Sequence, residues 1–336
     1  MIKQMDIKNK KRRVWVIGSA VLDLLARPIE QYADSAPVPA DPADDVSGGE
    51  KHGIWPEKQR IEEIRILTGG DAANQAIHLA SLGMDAELIA CVGADDNGKF
   101  LRRALEDRGV GTSCLRTRSG EATGTSLVLV GKEGQRHIFS VKGAHSDLQI
   151  QDLPETFPED LAAISLASIF SMPLLEKNGL KEFLIRAKER GILIFADLAS
   201  DKEGLGLEGI RPFLSLIDYF LPSHYDIKKM TGLTDEEAQA SLLHEAGCSH
   251  VILKCGEKGC YALSDGQSFR IPAAKVQVKD TTGAGDCMSA AFIYRILQKD
   301  TLEDACRFAC AAGSFATRFT GASAFRLSEE AVLTLI

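Results

Sequence analysis

Asp280-Thr281-Thr282-Gly283-Ala284-Gly285-Asp286 is the stretch on which the reading of this chain turns. Ala290-Ala291-Phe292-Ile293-Tyr294 behind it read as a helix of small and apolar residues, so the glycines stand where a helix begins. Two glycines around an alanine let the backbone turn tightly and come close to a ligand. A helix starting there points unpaired amide N–H groups and the positive end of its dipole forward, which suits a phosphate. Asp286 falls in the first turn, so a carboxylate able to take a proton stands beside that anion site. These are the minimum parts for moving a phosphoryl group onto a hydroxyl. The plainer alternative is a helix cap with no chemistry, since short glycine motifs match by chance. Other stretches decide between the two.

The chain has 336 residues, 45% of them apolar and 26% charged, an ordinary balance for a globular α/β protein. Its net charge is −8 with no basic block, which argues against a nucleic-acid or anionic-membrane surface. ATP stays open, because helix ends and a metal hold phosphates without a basic surface. Residues 1–13 are polar and basic with no apolar core behind them, and no apolar run is long enough for a bilayer. A cytoplasmic protein is expected. Cys306 and Cys310 are four apart without a second ligand pair, so the eight cysteines are expected to be small core residues.

Val14-Trp15-Val16-Ile17-Gly18 reads as a short buried strand, with Asp23 just past its end, where open α/β sheets place ligand groups. Residues 31–59 are rich in Pro, Asp, Gly and Ser and read as a long loop. Thr68-Gly69-Gly70-Asp71-Ala72-Ala73-Asn74 then opens a helix, with Asp71 and Asn74 on neighbouring positions of one face. Strands are expected at 88–93, 163–169, 192–196, 219–221 and 251–254, and helices at 174–190, 235–246 and 284–298. That alternation predicts a parallel sheet covered on both faces. Two β-rich interruptions, near 24–30 with 60–67 and near 124–141, do not fit that layer and are expected to pair as a small separate sheet.

These pieces resemble the ribokinase-like, or PfkB, family of carbohydrate kinases. Its amino-proximal signature resembles Gly69-Gly70 through Asn74, Leu79-Ala80, Gly83 and Val92-Gly93-Ala94-Asp95. Its carboxy-proximal signature resembles 280–286. The two in this order, about 210 residues apart, are far more specific than either alone. The wording of 165–170 looks like a little-characterised bacterial sugar-kinase branch. The resemblance implies a three-layer α/β/α fold with a mainly parallel central sheet and a β-sheet lid. A single domain over 12–330 is expected, with lid strands inserted at about 24–67 and 123–142 and a flexible tail at 1–11. ATP would be the donor and Mg²⁺ the helper.

Carried over position by position, the resemblance implies Asp286 as base and the amides of Gly283, Ala284 and Gly285 as anion hole. Asp23, Gly69, Gly70, Asp71 and Asn74 would hold the sugar, and the Asp71 carboxylate fits a polyhydroxyl ligand better than an acidic one. Arg27, Arg136, His137 and Lys142 on the lid are the groups that could still meet an anion. Lys254, Gly256 and Gly259 resemble the strand-turn along the nucleotide, and Ala311, Ala312, Gly313 and Phe315 would lie near adenine. Asp280, Thr282, Ala316 and Gly321 match positions that in many members enclose a monovalent cation such as K⁺. The chain departs from the family where an Asn-x-x-Glu is common: Ser223 and Asp226 stand there instead, leaving Asp226 to reach Mg²⁺ through water. The function implied is phosphorylation of a primary hydroxyl on a sugar or sugar derivative, by a homodimer paired through its lids. The alternatives are a nucleoside (adenosine-like) kinase and a catalytically silent sugar-binding regulator.

Overall fold

The structure, a computed structural model, describes residues 12–29, 61–131 and 136–336. The expected tail at 1–11, the loop at 31–59 and turn residues 132–134 lie outside the described residues.

The chain enters through β1 (Arg13–Ile17) and passes directly into β2 (Val21–Ile29) and β3 (Glu63–Gly69), then returns along α1 (Asp71–Ser81) and β4 (Asp85–Gly93). Next come α2 (Asp96–Asp107), β5 (Leu115–Arg118), β6 (Thr125–Gly131) and β7 (Arg136–Val141). A second run follows: β8 (Leu161–Ile169), α3 (Pro173–Lys177), α4 (Leu180–Glu189), β9 (Leu193–Leu198), α5 (Gly206–Leu214), β10 (Tyr219–Phe220), α6 (His224–Thr231), α7 (Glu236–Glu245) and β11 (His250–Lys254). The chain ends with β12 (Cys260–Ser264), β13 (Gln267–Ile271), α8 (Ala284–Leu297), α9 (Leu302–Ala316) and α10 (Glu329–Leu333).

Among the described residues nine strands form one sheet, ordered β13-β12-β11-β10-β9-β8-β1-β4-β5. From β5 to β11 every pairing is parallel, and the central strands β1, β4, β8 and β9 are buried on both faces, as parallel sheets require. In β1 the pleat sends Val14 and Val16 into the core shared with α1, α2, α8 and α9, and Trp15 and Ile17 into the core shared with α3 to α7. The result is three layers, α/β/α. Each of these fully covered Val and Ile side chains contributes roughly 1.5–3 kcal/mol of burial.

The other four strands form a separate sheet ordered β3-β2-β6-β7, the lid. Its central pair, β2 with β6, is parallel, and its outer pairs are antiparallel. The first lid excursion leaves and rejoins the main layer at one end, because β2 starts four residues after β1 stops and Gly69 is followed within two residues by α1.

One expectation needs correction. The helix expected over 174–190 is two helices, α3 and α4, separated at Asn178-Gly179, with Gly179 in the left-handed region. The main sheet is mainly parallel, as expected; β12 and β13 add an antiparallel edge, because a short turn at 256–259 and another at Asp265-Gly266 leave no room for crossover helices.

Candidate active site

The strand order reverses between β1 and β8: the chain first builds outward to β4 and β5, then comes back to β8 on the other side of β1. Helices on the two sides of such a switch point cannot meet across it, so a crevice opens beyond the carboxyl ends of the two strands. Ser19, just past β1, and Ser168, at the end of β8, bridge its floor with a hydroxyl–hydroxyl hydrogen bond of 3.0 Å. The crevice is a cleft of about 450 Å³, roofed by the lid residues Ser126, Val128, Ile138 and Ser140. Asp23, Gly70, Asp71, Asn74, Asp226, Thr282, Gly283 and Asp286 all line it. Phe170, Ser171, Lys142, His145 and Lys202 line it too.

Asp286 sits in the first turn of α8, and Asn74 one turn into α1. The packing of these helices brings the two together: Asn74 Nδ2 donates to Asp286 Oδ2 at 2.9 Å. Asn74 Oδ1 is buried with no hydrogen-bond partner. A buried acceptor of that kind calls for a donor, which a water or a ligand hydroxyl supplies. Gly283 precedes α8 with φ 70°, and a Cβ there would lie 2.4 Å from the Ala322 Cβ, so only glycine fits this turn. The N–H of Ala284 turns back to Thr281 O at 3.3 Å, and Cys287 is the first residue to bond forward onto Gly283 O. The N–H groups of Gly285 and Asp286 lie between, outside the helical ladder and at the positive end of the dipole.

The site is acidic. Burial drives the Asp286 carboxyl well above the ordinary carboxylate range, and the neighbouring Asp71 adds to the rise. Burial likewise pushes Asp71 up to about 7, with Asp197 and Asp226 reinforcing it, and pushes Asp23 up to about 6. Asp197 and Asp226 are raised by burial as well. The cation that all four of Asp71, Asp197, Asp226 and Asp286 feel is Lys254, whose ammonium is bound to Asp197 Oδ2.

Beyond the cleft, Asp280 joins two expected cation-site residues: Oδ1 accepts from the N–H and hydroxyl of Thr282 at 2.9 and 2.6 Å, and Oδ2 from the Gly321 N–H at 2.9 Å. Ala316 is the residue before Thr317, whose carbonyl accepts from Asp280. Gly256 and Gly259 flank the turn after β11. Ala312 and Gly313 are both buried: a Cβ on Gly313 would meet Ala284 O and Met288 at 3.3 Å, so this stretch lets α9 pack on α8. Arg27 is taken up by Glu63 at 2.7 Å. Sequence reasoning gave Asp197, Ser168 and Phe170 no role in the site. Phe170 has φ 79°, rare for an aromatic residue, and Glu176 accepts its N–H at 2.8 Å. No local signal marks these residues; each matters through what folding places beside it.

The model of the pfkB family carbohydrate kinases matches residues 45–329. The ribokinase of Haemophilus influenzae is 29% identical over 271 residues, which cover 78% of this chain and 84% of the relative. The aminoimidazole riboside kinase of Salmonella typhimurium is 26% identical, over 92% of this chain and 90% of the relative. Among solved structures, an E. coli chain assigned as a ribokinase II, in complex with ATP and Mg²⁺, superposes with a TM-score of 0.76 at 23% identity. That superposition covers 96% of this chain and 98% of the other. The chain belongs to the PfkB family and is an ATP-dependent carbohydrate kinase.

Proposed function

We propose that this kinase phosphorylates a primary hydroxyl of a sugar or sugar derivative, with Asp286 as base. The observation that carries this reading is the Asn74–Asp286 hydrogen bond at the mouth of α8, in a cleft roofed by the lid. Asn74 holds one oxygen of the carboxylate, and Asp286 lines the cleft. A carboxyl raised above its usual range is a stronger base when ionised near neutral pH, which suits proton removal from a weakly acidic alcohol. The substrate oxygen attacks phosphorus, its proton passes to Asp286, and the bond to ADP breaks. In the turn of Gly283, Ala284 and Gly285, where the Ala284 N–H is already bonded back to Thr281 O, the N–H groups of Gly285 and Asp286 receive the charge that builds on the transferring oxygens. Asp23, Gly69, Gly70 and Asp71 surround the sugar, and their acceptors favour a ligand rich in hydroxyl donors.

Bound ATP supplies the phosphoryl group, and Mg²⁺ neutralises charge on its phosphates. Among the described residues no three His, Cys, Asp or Glu side chains are set to cage a metal. An ion held by phosphates and water fits better, and Asp226, in a cluster short of positive charge, is the side chain placed to order that water. Asp280, Thr282, Ala316 and Gly321 form the candidate site for K⁺, and Lys254, Gly256, Gly259, Ala312 and Gly313 the nucleotide side. The eight cysteines are all free thiols, which supports a reducing, cytoplasmic setting.

A nucleoside acceptor is the second reading. Val128, Ile138 and Val141 on the lid, with Phe170 just after β8, give the cleft an apolar lining on which a base could stack, and one relative is a riboside kinase. One experiment decides both points: ADP release by wild type and Asp286→Asn across sugars, sugar acids, phosphosugars and nucleosides, with Mg²⁺ and with or without K⁺. Turnover of sugars that vanishes in the variant supports the leading reading, and turnover confined to nucleosides transfers it to the second. A fully active Asp286→Asn enzyme would remove the aspartate from the mechanism.

A further inference from the structure

Lys254, the last residue of β11, carries its ammonium to an unexpected place. Its side chain is only 12% exposed, and it reaches Asp197 Oδ2 and, at 3.5 Å, Ser289 Oγ. A Cβ built on Gly285 would stand 3.4 Å from Nζ, so the ammonium lies against the first turn of α8. A cation there faces the positive end of the helix dipole and is repelled by it. Burying it costs further solvation, and an ion pair with Asp197 rarely returns more than that cost. Stability alone therefore gives little reason for a lysine at this point. An incoming polyanion does: a phosphoryl group seated on the Gly285 and Asp286 N–H groups would meet this ammonium at the same time.

We propose that Lys254 is a catalytic residue that contacts the transferring phosphoryl group, and that Asp197 and Ser289 are positioning residues that hold its ammonium against α8. This rests on the kinase reading and adds to its amide anion hole a full positive charge. Asp197 balances that charge while the site is empty, and the strand end and α8, both fixed in the core, keep the ammonium aimed. Gly285 leaves the space that a larger residue would fill with its side chain.

The test compares nucleotides before it measures turnover. Affinities for ATP and ADP, each with Mg²⁺ and without sugar, are measured by calorimetry for wild type, Lys254→Met, Lys254→Arg and the double variant Lys254→Met/Asp197→Asn. The double variant removes both charges together, so it leaves no unpaired buried carboxylate and keeps the fold testable. Wild type is expected to bind ATP more tightly than ADP, and both methionine variants to lose that preference, roughly tenfold or more. Their kcat should fall by about 10²–10³, the loss seen when an oxyanion donor is removed, with the sugar KM little changed and partial recovery in Lys254→Arg. A folded double variant with the wild-type ATP-to-ADP ratio and kcat overturns the proposal, as does a wild type with no preference for ATP. Either result leaves the kinase reading standing if wild type still phosphorylates a sugar. If no sugar is phosphorylated, the nucleotide comparison still decides Lys254 by itself.

Discussion

Asp286 and Asp71 show how a residue is shaped by what surrounds it. An aspartate on an open surface would be ionised throughout the neutral range. Here burial raises both groups, helped at Asp286 by the neighbouring Asp71 and at Asp71, which reaches about 7, by Asp197 and Asp226. The base works only when ionised, so kcat/KM should climb with pH, with a midpoint well above the ordinary carboxylate value of about 4. Asp286→Asn should lose about 10²–10⁴ of kcat, as removal of a general base does; a pH–rate profile of both enzymes checks this. The same shift bears on stability. A carboxyl with a raised folded pKa holds its proton more tightly when folded. Its contribution is therefore complete below the unfolded value near 4 and is lost as pH rises through the folded value. Asp71→Asn, which cannot ionise, should melt above wild type at pH 8, with the gap closing toward pH 4. Melting curves across that range decide it, and a gap independent of pH would contradict the assignment.

At the scale of elements, the first turn of α8 is the part that cannot shift. Its approach depends on Gly283, where both the positive φ and the Ala322 contact exclude a side chain. Gly283→Ala should cost about 1–2 kcal/mol in backbone strain, with the steric contact adding to it, and should depress kcat by moving the amides. Gly109→Ala is the control: its φ is 79°, nothing lies within 4 Å of the added Cβ, and it does not line the cleft. It should lose stability and keep kcat, measured by thermal melts alongside ADP release. Local elements were largely legible in the sequence. The β1 run, the glycine pair before α1 and the small-residue helix α8 carry their own signals in period and punctuation. The α3–α4 break was not, because Asn178-Gly179 interrupts a helical pattern that is otherwise continuous. Nor was the antiparallel edge of β12 and β13, since direction depends on what the connecting turn can span.

Across the whole molecule, the lid leaves an apolar row uncovered. Ile66, Leu24, Leu127 and Phe139 stand side by side across its four strands, and Ile66, Leu127 and Phe139 are 53, 40 and 58% exposed. A second copy of the lid would cover this row, and we expect a homodimer. Light scattering should show wild type as a dimer at micromolar concentration and Phe139→Lys as a monomer; a monomeric wild type would exclude the pairing. From the sequence came the α/β class, the two glycine motifs in their order, the lid insertions and the candidate base, because each depends on residues close together in the chain. The tertiary structure decided that Asn74 holds Asp286, 212 positions away, at 2.9 Å, and that Lys254 lies between Asp197 and α8. Sheet order at the β1–β8 switch point and the packing of α1 on α8 set those meetings, and spacing along a chain carries no record of them.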